Sequence, residues 1–277
     1  MEAPTYLAAI NAFKAYECTF KEVPTDDKGM IPEALEKILE TTENVKLVYV
    51  ITDFQTRQAS AGLWNAVKPL WKSWQSMISP FWKITPMGNC AMKGQQIPRS
   101  LDTGSARSGH GHGHLLQDIL PRPAYRLAGL LPGYHASVRQ GQAKCGPSSS
   151  AFDQAIIDRY MDEFSLDEHV KEINALYGHR RDLIIQCMEK EFTDGTTWTH
   201  PEGGLFLWLT FPEGVSARKV FDKCIEKNVA GVLGEFFYPT TKSDRHMRST
   251  TPICLMTASK EGIRRMGEAL REVAAGK

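Results

Sequence analysis

Apolar residues recur at helical spacing in four separate stretches of this chain. Residues 32–40 carry Leu35, Ile38 and Leu39 on one side, and Pro32 suits the first helical turn. Ser165-Leu166-Asp167-Glu168 has the form of a capping box. Behind it Val170, Ile173, Leu176, Tyr177, Leu183, Ile184 and Met188 continue one apolar face, which predicts a long amphipathic helix. Residues 216–227 turn Val220, Phe221, Cys224 and Ile225 inward, and Ser259 is placed to cap a last helix through Ile263, Met266, Ala269, Leu270 and Val273. Strands are expected at 45–51, a β-branched run, within 197–211 after the turn Glu202-Gly203-Gly204, and at 229–232. A helix followed by a buried strand near the start predicts a parallel sheet, whose strand ends are where ligands bind. The helix and strand alternation from 165 onward predicts a compact α+β unit.

Residues 56–150 have a different texture. Four of the six tryptophans fall between Trp64 and Trp82, and no 3.6 or 2.0 period persists. Glycine, serine, histidine and proline dominate later, as in the run from Ser105 to His114. A stretch this long without a legible element argues against ordinary structure there. It is either an unusual insertion or text that the gene did not evolve to encode.

Composition narrows the class. The chain has 277 residues, enough for one large domain or two modest ones, with 42% hydrophobic and 23% charged residues. A net charge of +1 does not advertise nucleic acid or an acidic membrane as a partner. No apolar run has the length of a transmembrane helix, and Met1-Glu2-Ala3-Pro4-Thr5-Tyr6 lacks the form of a signal peptide. The cysteines at 18, 90, 145, 187, 224 and 254 form no C-x-x-C pair, which reads as reduced thiols in a cytoplasmic protein.

Several motifs then occur in order. Glu2-Ala3-Pro4-Thr5-Tyr6, Tyr49-Val50-Ile51-Thr52-Asp53-Phe54-Gln55, Thr199-His200-Pro201-Glu202-Gly203-Gly204-Leu205-Phe206-Leu207-Trp208, Gly231-Val232-Leu233-Gly234-Glu235-Phe236-Phe237 and Met247-Arg248 stand in sequence along the two outer segments. Together they resemble class I, fold-type I aminotransferases that use pyridoxal phosphate (PLP). The nearest branch is that of 2-aminoadipate and kynurenine aminotransferases and the aminotransferase domains of GntR-like regulators. The resemblance covers about 1–55 and 150–277. It implies an α/β fold, with residues 1–150 an incomplete PLP-binding large domain and 151–277 the C-terminal α+β small domain. It implies amino-group transfer between an amino acid and a 2-oxo acid, usually in a homodimer. A complete member is expected to carry roughly a hundred further residues before Glu2, including the loop and helix N-terminus that hold the cofactor phosphate.

The resemblance also accounts for the middle. After Gln55 the family continues Asn-Pro-Thr-Gly, whereas this chain reads Thr56-Arg57-Gln58-Ala59. Deleting one A from CAG-AAC-CCG-ACA-GGC yields the printed residues. Tryptophan and methionine have single codons, so the hidden frame can be checked. Reading from the last base of each codon, Trp64-Asn65, Trp71-Lys72, Trp82-Lys83 and Met92-Lys93 each give glutamate, and Met77-Ile78 gives aspartate. The remaining codons allow Asp-Leu-Pro-Val-Leu-Glu-Asp-Asn-Pro-Tyr-Gly-Glu-Leu, where the aspartate facing the pyridine nitrogen would lie. From Gly113, a frame starting on the second base allows Gly-Thr-Phe-Ser-Lys, with the Schiff-base lysine codon straddling Gln117 and Asp118. By about Ala151 the printed frame is again the family's.

The family's chemistry needs a lysine, an aromatic ring stacked on the cofactor, and an arginine gripping the substrate carboxylate with a bidentate fork. Tyr6 is the candidate ring and Arg248 the candidate carboxylate ligand, although Ser249-Thr250-Thr251-Pro252 departs from the family after it. Asp53 reads as structural. Lys68, Lys72, Lys83 and Lys93 lie in shifted text without family context, so no Schiff-base residue is named and the chain is expected to be inactive in this frame. His110, His112 and His114 alternate but have no acidic or cysteine partner at metal spacing, so no metal is assigned. Residues 104–113 follow no strand and make no phosphate cradle. Two other readings stay open: a non-catalytic remnant serving as an interaction module, and a ligand-sensing domain of a transcription regulator.

Overall fold

Ser165 ends one helix and starts the next. Its Oγ accepts the backbone N–H of Glu168 at 3.3 Å, satisfying a donor that the first turn leaves open. Ser216 does the same for Lys219 at 3.2 Å. The computed structural model describes residues 1–26, 29–51, 81–85, 109–114, 126–129, 151–251 and 256–276.

In chain order the elements are β1 (Glu2–Ala3), α1 (Leu7–Lys14), β2 (Val23–Asp26), β3 (Gly29–Met30), α2 (Pro32–Thr41), β4 (Val48–Ile51), β5 (Phe81–Thr85), β6 (Gly109–His114) and β7 (Arg126–Gly129). Then follow α3 (Ala151–Glu163), α4 (Leu166–Glu191), β8 (Thr197–Trp198), β9 (Phe206–Thr210), α5 (Ala217–Glu226), β10 (Val232–Leu233), a 3-10 helix (Gly234–Phe237), β11 (His246–Thr250) and α6 (Met256–Ala274).

Three sheets result. β4, β5, β6 and β7 lie side by side, the first three parallel and β7 antiparallel. β1, β2 and β3 form a small separate ladder, and β10-β11-β9-β8 is wholly antiparallel.

The middle corrects an expectation. Residues 56–150 show no legible element in sequence, yet they supply β5, β6 and β7. Glycine is a poor strand former, so the Gly-His alternation of β6 has little strand propensity of its own. The strand is held by pairing on both edges: Gly111 sits opposite Lys83 in β5 and opposite Gly129 in β7. Local pattern cannot reveal an element whose hydrogen bonds all come from distant neighbours.

Other bounds moved by a few residues. The first expected strand is shorter, Val48–Ile51, and the strand expected at 229–232 is instead Val232–Leu233. The last helix begins at Met256, so Ser259 lies within its first turn and does not cap it. Helices α1 and α3 and strands β1, β2, β3 and β11 had no prediction.

Alternation in the antiparallel sheet separates its two faces. Leu207, Leu209 and Met247 join Ile184 and Met188 of α4, Val220 and Cys224 of α5, and Ile263, Met266 and Leu270 of α6 in one core. Phe206, Trp208, His246 and Arg248, one position out of phase, therefore belong to the opposite face. The helices α4 and α6 meet closely at Gly267, where an added Cβ would come within 2.5 Å of the Glu191 carbonyl oxygen. Gly262, in the same helix, has nothing within 4 Å.

This contrast makes two substitutions in one helix opposite in sign. Gly262→Ala is expected to stabilise by about 0.5–1 kcal/mol through helix propensity. Gly267→Ala is expected to destabilise by about 1–3 kcal/mol by overpacking the crossing. Urea unfolding of both variants checks this, and equal stabilisation by the two would contradict the close approach.

Candidate functional site

Tyr6, at the N-terminus of α1, and Arg248, in the middle of β11, come together although 242 positions apart in sequence. Tyr6 occupies the N-cap position, and its carbonyl accepts the N–H groups of Ala9 and Ile10. The residue is 39% exposed. Arg248 is half-buried, with its guanidinium carbon 4.0 Å from the Phe206 ring centre and 4.6 Å from that of Phe237. The negative faces of these rings attract the cation. Burial pushes the Arg248 guanidinium down to about 10, and the neighbouring Tyr6 acts in the opposite direction, so the group stays charged at neutral pH. Among the described residues its N–H donors have no hydrogen-bond or ion-pair partner.

The wall beside it is aromatic. Trp208 stands edge-on to Phe237 at 5.5 Å and stacks on His246 at 5.5 Å, and His246 stacks in turn on Tyr238 at 6.0 Å. His246 Nδ1 lies 3.2 Å from Thr210 Oγ1. Two buried polar atoms next to this wall, Thr5 Oγ1 and Trp208 Nε1, have no hydrogen-bond partner among the described residues. Thr199 Oγ1 accepts from Trp208 N at 3.0 Å and so extends the ladder.

The segment carrying Tyr6 is tethered at both ends. Glu2 is fully buried, and its carboxyl accepts the N–H of Ile51 at the C-terminal end of β4 at 3.1 Å. Thr5 N donates to Phe237 O at 2.8 Å. The first bond ties the segment to the parallel sheet and the second to the ring that faces Arg248. Burial raises the Glu2 carboxyl to about 8, against the weaker pull of the Ile51 hydrogen bond and the Met1 ammonium. The Phe206 and Phe237 walls and the Glu2 tether went unread in sequence. The alternation of Phe206 and Trp208 with Leu207 and Leu209 was the available signal for the walls.

The other candidates fall elsewhere. Lys83 lies in β5 opposite Val50 and Gly111, and the histidines of the Gly-His repeat lie in β6; their side chains are outside the described set. Asp53, Lys68, Lys72, Lys93, Gln117 and Asp118 lie outside the described residues. Among the described residues no group of three or more side chains could hold a metal ion, and no helix is long and apolar enough to cross a membrane.

No protein-family model matches the chain. Individual relatives do. Aromatic-amino-acid aminotransferase 1 of Thermococcus litoralis is 30% identical over 98% of this chain and 66% of its own length. The kynurenine aminotransferase of Pyrococcus horikoshii, solved in complex with PMP, superposes with a TM-score of 0.88 at 29% identity, over 98% of this chain and 68% of that one. The multiple substrate aminotransferase of Thermococcus profundus gives 0.89 at 29% identity, over 100% of this chain and 70% of that one. This chain belongs to the fold-type I, PLP-dependent aminotransferases. It spans about two thirds of the length of these relatives. Aminotransferases match the chain along nearly its whole length, so neither a regulator's sensing domain nor a bare interaction module is favoured.

The family's cofactor is PLP. The described residues fit one end of such a site: an unpaired, half-buried arginine, an accessible tyrosine ring, and two orphaned polar atoms. Among the described residues no lysine amine is bonded within the Tyr6 and Arg248 cluster, so no residue is assigned to its covalent attachment.

Glu2 generates a test with a definite sign. Its folded value, about 8, lies above the ordinary 4.5, so the folded state holds the proton more tightly than the unfolded chain. The stability it contributes is fully present below pH 4.5 and lost as pH rises to 8. Glu2→Gln keeps an acceptor for Ile51 N without a titrating proton. The difference between wild-type and Glu2→Gln stability is expected to grow across that window by a few kcal/mol, on the order set by the shift. Urea midpoints from pH 4.5 to 8 measure it; parallel curves would contradict a buried neutral carboxyl.

Proposed function

We propose that this chain carries the substrate-carboxylate half of an aminotransferase site, and that by descent it serves amino-group transfer between an amino acid and a 2-oxo acid. The observation that carries this is the Arg248 guanidinium: charged, half-buried, laid over two phenyl rings, and without an acceptor among the described residues. Burying a cation without a partner is costly unless one arrives with a ligand. A carboxylate matches the guanidinium fork with two parallel N–H bonds. The orphaned donors thus favour a planar oxyanion.

Tyr6, a partly exposed neighbour of Arg248, is proposed to stack on the cofactor ring. PLP itself supplies the electron sink that the reaction needs. Arg248 binds and orients the substrate carboxylate, and the apolar walls of Phe206 and Phe237 keep water from competing for it.

The lysine and the aspartate that the family uses are proposed to survive out of frame, across the junctions Gln117–Asp118 and Lys83–Ile84. The polypeptide in this frame is then not a competent transaminase. On the same reading, residues 1–150 are part of the cofactor-binding domain, residues 151–277 form the small domain, and the protein is a cytoplasmic homodimer.

Two measurements test this. Isothermal titration with 3-phenylpropionate is expected to detect binding by the wild type and at least about tenfold weaker binding by Arg248→Lys, since an ammonium cannot reproduce the fork. Equal binding by both would contradict the role of Arg248. Incubation with PLP followed by borohydride is expected to leave no lysine modified above the background of exposed amines. Stoichiometric trapping at a single lysine would contradict the claim of inactivity.

A further inference from the structure

Glu22 lies far in sequence from the residues it binds. Its Oε1 accepts the backbone N–H of Thr240 at 2.6 Å and that of Thr241 at 2.8 Å, and its Oε2 accepts the Thr241 hydroxyl. A charged acceptor taking three donors is a strong tether, because ionised hydrogen bonds exceed neutral ones. Three donors outweigh partial burial and hold the carboxyl below its ordinary value.

The tether acts on the Arg248 site through a short link. Phe237 precedes Thr240 by only Tyr238 and Pro239, and Pro239 is buried with its φ fixed by the ring. Fixing Thr240 therefore confines Phe237 from one side, while Thr5 N, bonded to Phe237 O, confines it from the other. The Phe237 ring is one of the two against the guanidinium.

We propose that Glu22 is a positioning residue for the Arg248 anion site, its carboxylate clasping the backbone at Thr240 and Thr241 and so holding Phe237 over the guanidinium. The inference rests on the reading of Arg248 as the carboxylate ligand. Glu22 touches no substrate; it sets the wall against which the arginine is oriented.

Isothermal titration of 3-phenylpropionate into wild type, Arg248→Lys, Glu22→Ala and Glu22→Gln tests it. Both backbone donors go to one oxygen, so glutamine keeps that acceptor and its amide can donate to the Thr241 hydroxyl. Glu22→Ala is expected to weaken binding about fivefold, the share of one cation–π face, while Glu22→Gln stays within about twofold. Wild-type affinity in Glu22→Ala, with binding lost in Arg248→Lys, overturns the clasp and leaves the arginine's role standing. Equal weakening in Glu22→Ala and Glu22→Gln overturns it too, because a clasp is rescued by glutamine. Tighter binding by Glu22→Gln would mean that the carboxylate only repels the anion, which also overturns it. No binding by the wild type overturns the reading of Arg248 and the clasp together. If Glu22→Ala does not fold, Thr241→Ala decides: about twofold weaker binding supports the clasp, and unchanged binding overturns it.

Discussion

A half-buried arginine without a counter-charge is the constraint around which the described structure is arranged. Arg248 can be charged where it sits because two phenyl rings face it and because it is only half-buried. One ring, Phe206, comes from the adjacent strand β9, where the pairing of Thr250 with Phe206 fixes its position. The other, Phe237, comes from a four-residue 3-10 helix that no ladder holds directly. It is held by a hydrogen bond from Thr5 and, three and four residues beyond it, by the grip of Glu22 on Thr240 and Thr241. The start of the chain thus builds a site whose cation belongs to its end.

The two faces of the antiparallel sheet divide the labour. Leu207, Leu209 and Met247 bury against three helices and supply the stability of this unit. The other face is free to carry Trp208, His246 and Arg248, whose polar edges would be out of place in that core. A one-residue slip of β11 would turn Met247 out of the core and His246 and Arg248 into it, so the register that packs the core also aims the arginine.

Much of this was legible where structure is local. Ser165 announced its helix because an N-cap acts within three residues, and the apolar faces of α2, α4 and α5 followed a 3.6 period. The pairing of Tyr6 with Arg248 was legible only through family resemblance, since no spacing rule spans the chain. The tethers at Glu2 and Glu22 were not legible at all. An isolated glutamate gives no sign that its partners are backbone groups 49 and 218 residues away. Strand β6 was missed for a related reason: alternating glycine and histidine has weak propensity, and only pairing to β5 and β7 makes it a strand.

Strand β5 also bears on the frame, because the hidden aspartate would fall at Lys83 and Ile84 within it, beside β4 in a parallel sheet. The printed chain would then keep the carboxylate grip in frame and the cofactor chemistry out of frame. The nucleotide sequence across codons 50–155 tests this most directly. One base is expected to be missing after the Gln55 codon, with AAG at Lys83 so that the shifted triplet reads GAT for aspartate, and CAA at Gln117 so that the shifted triplet reads AAG for lysine. AAA at Lys83 together with CAG at Gln117, or a stop codon within either shifted stretch, would contradict it.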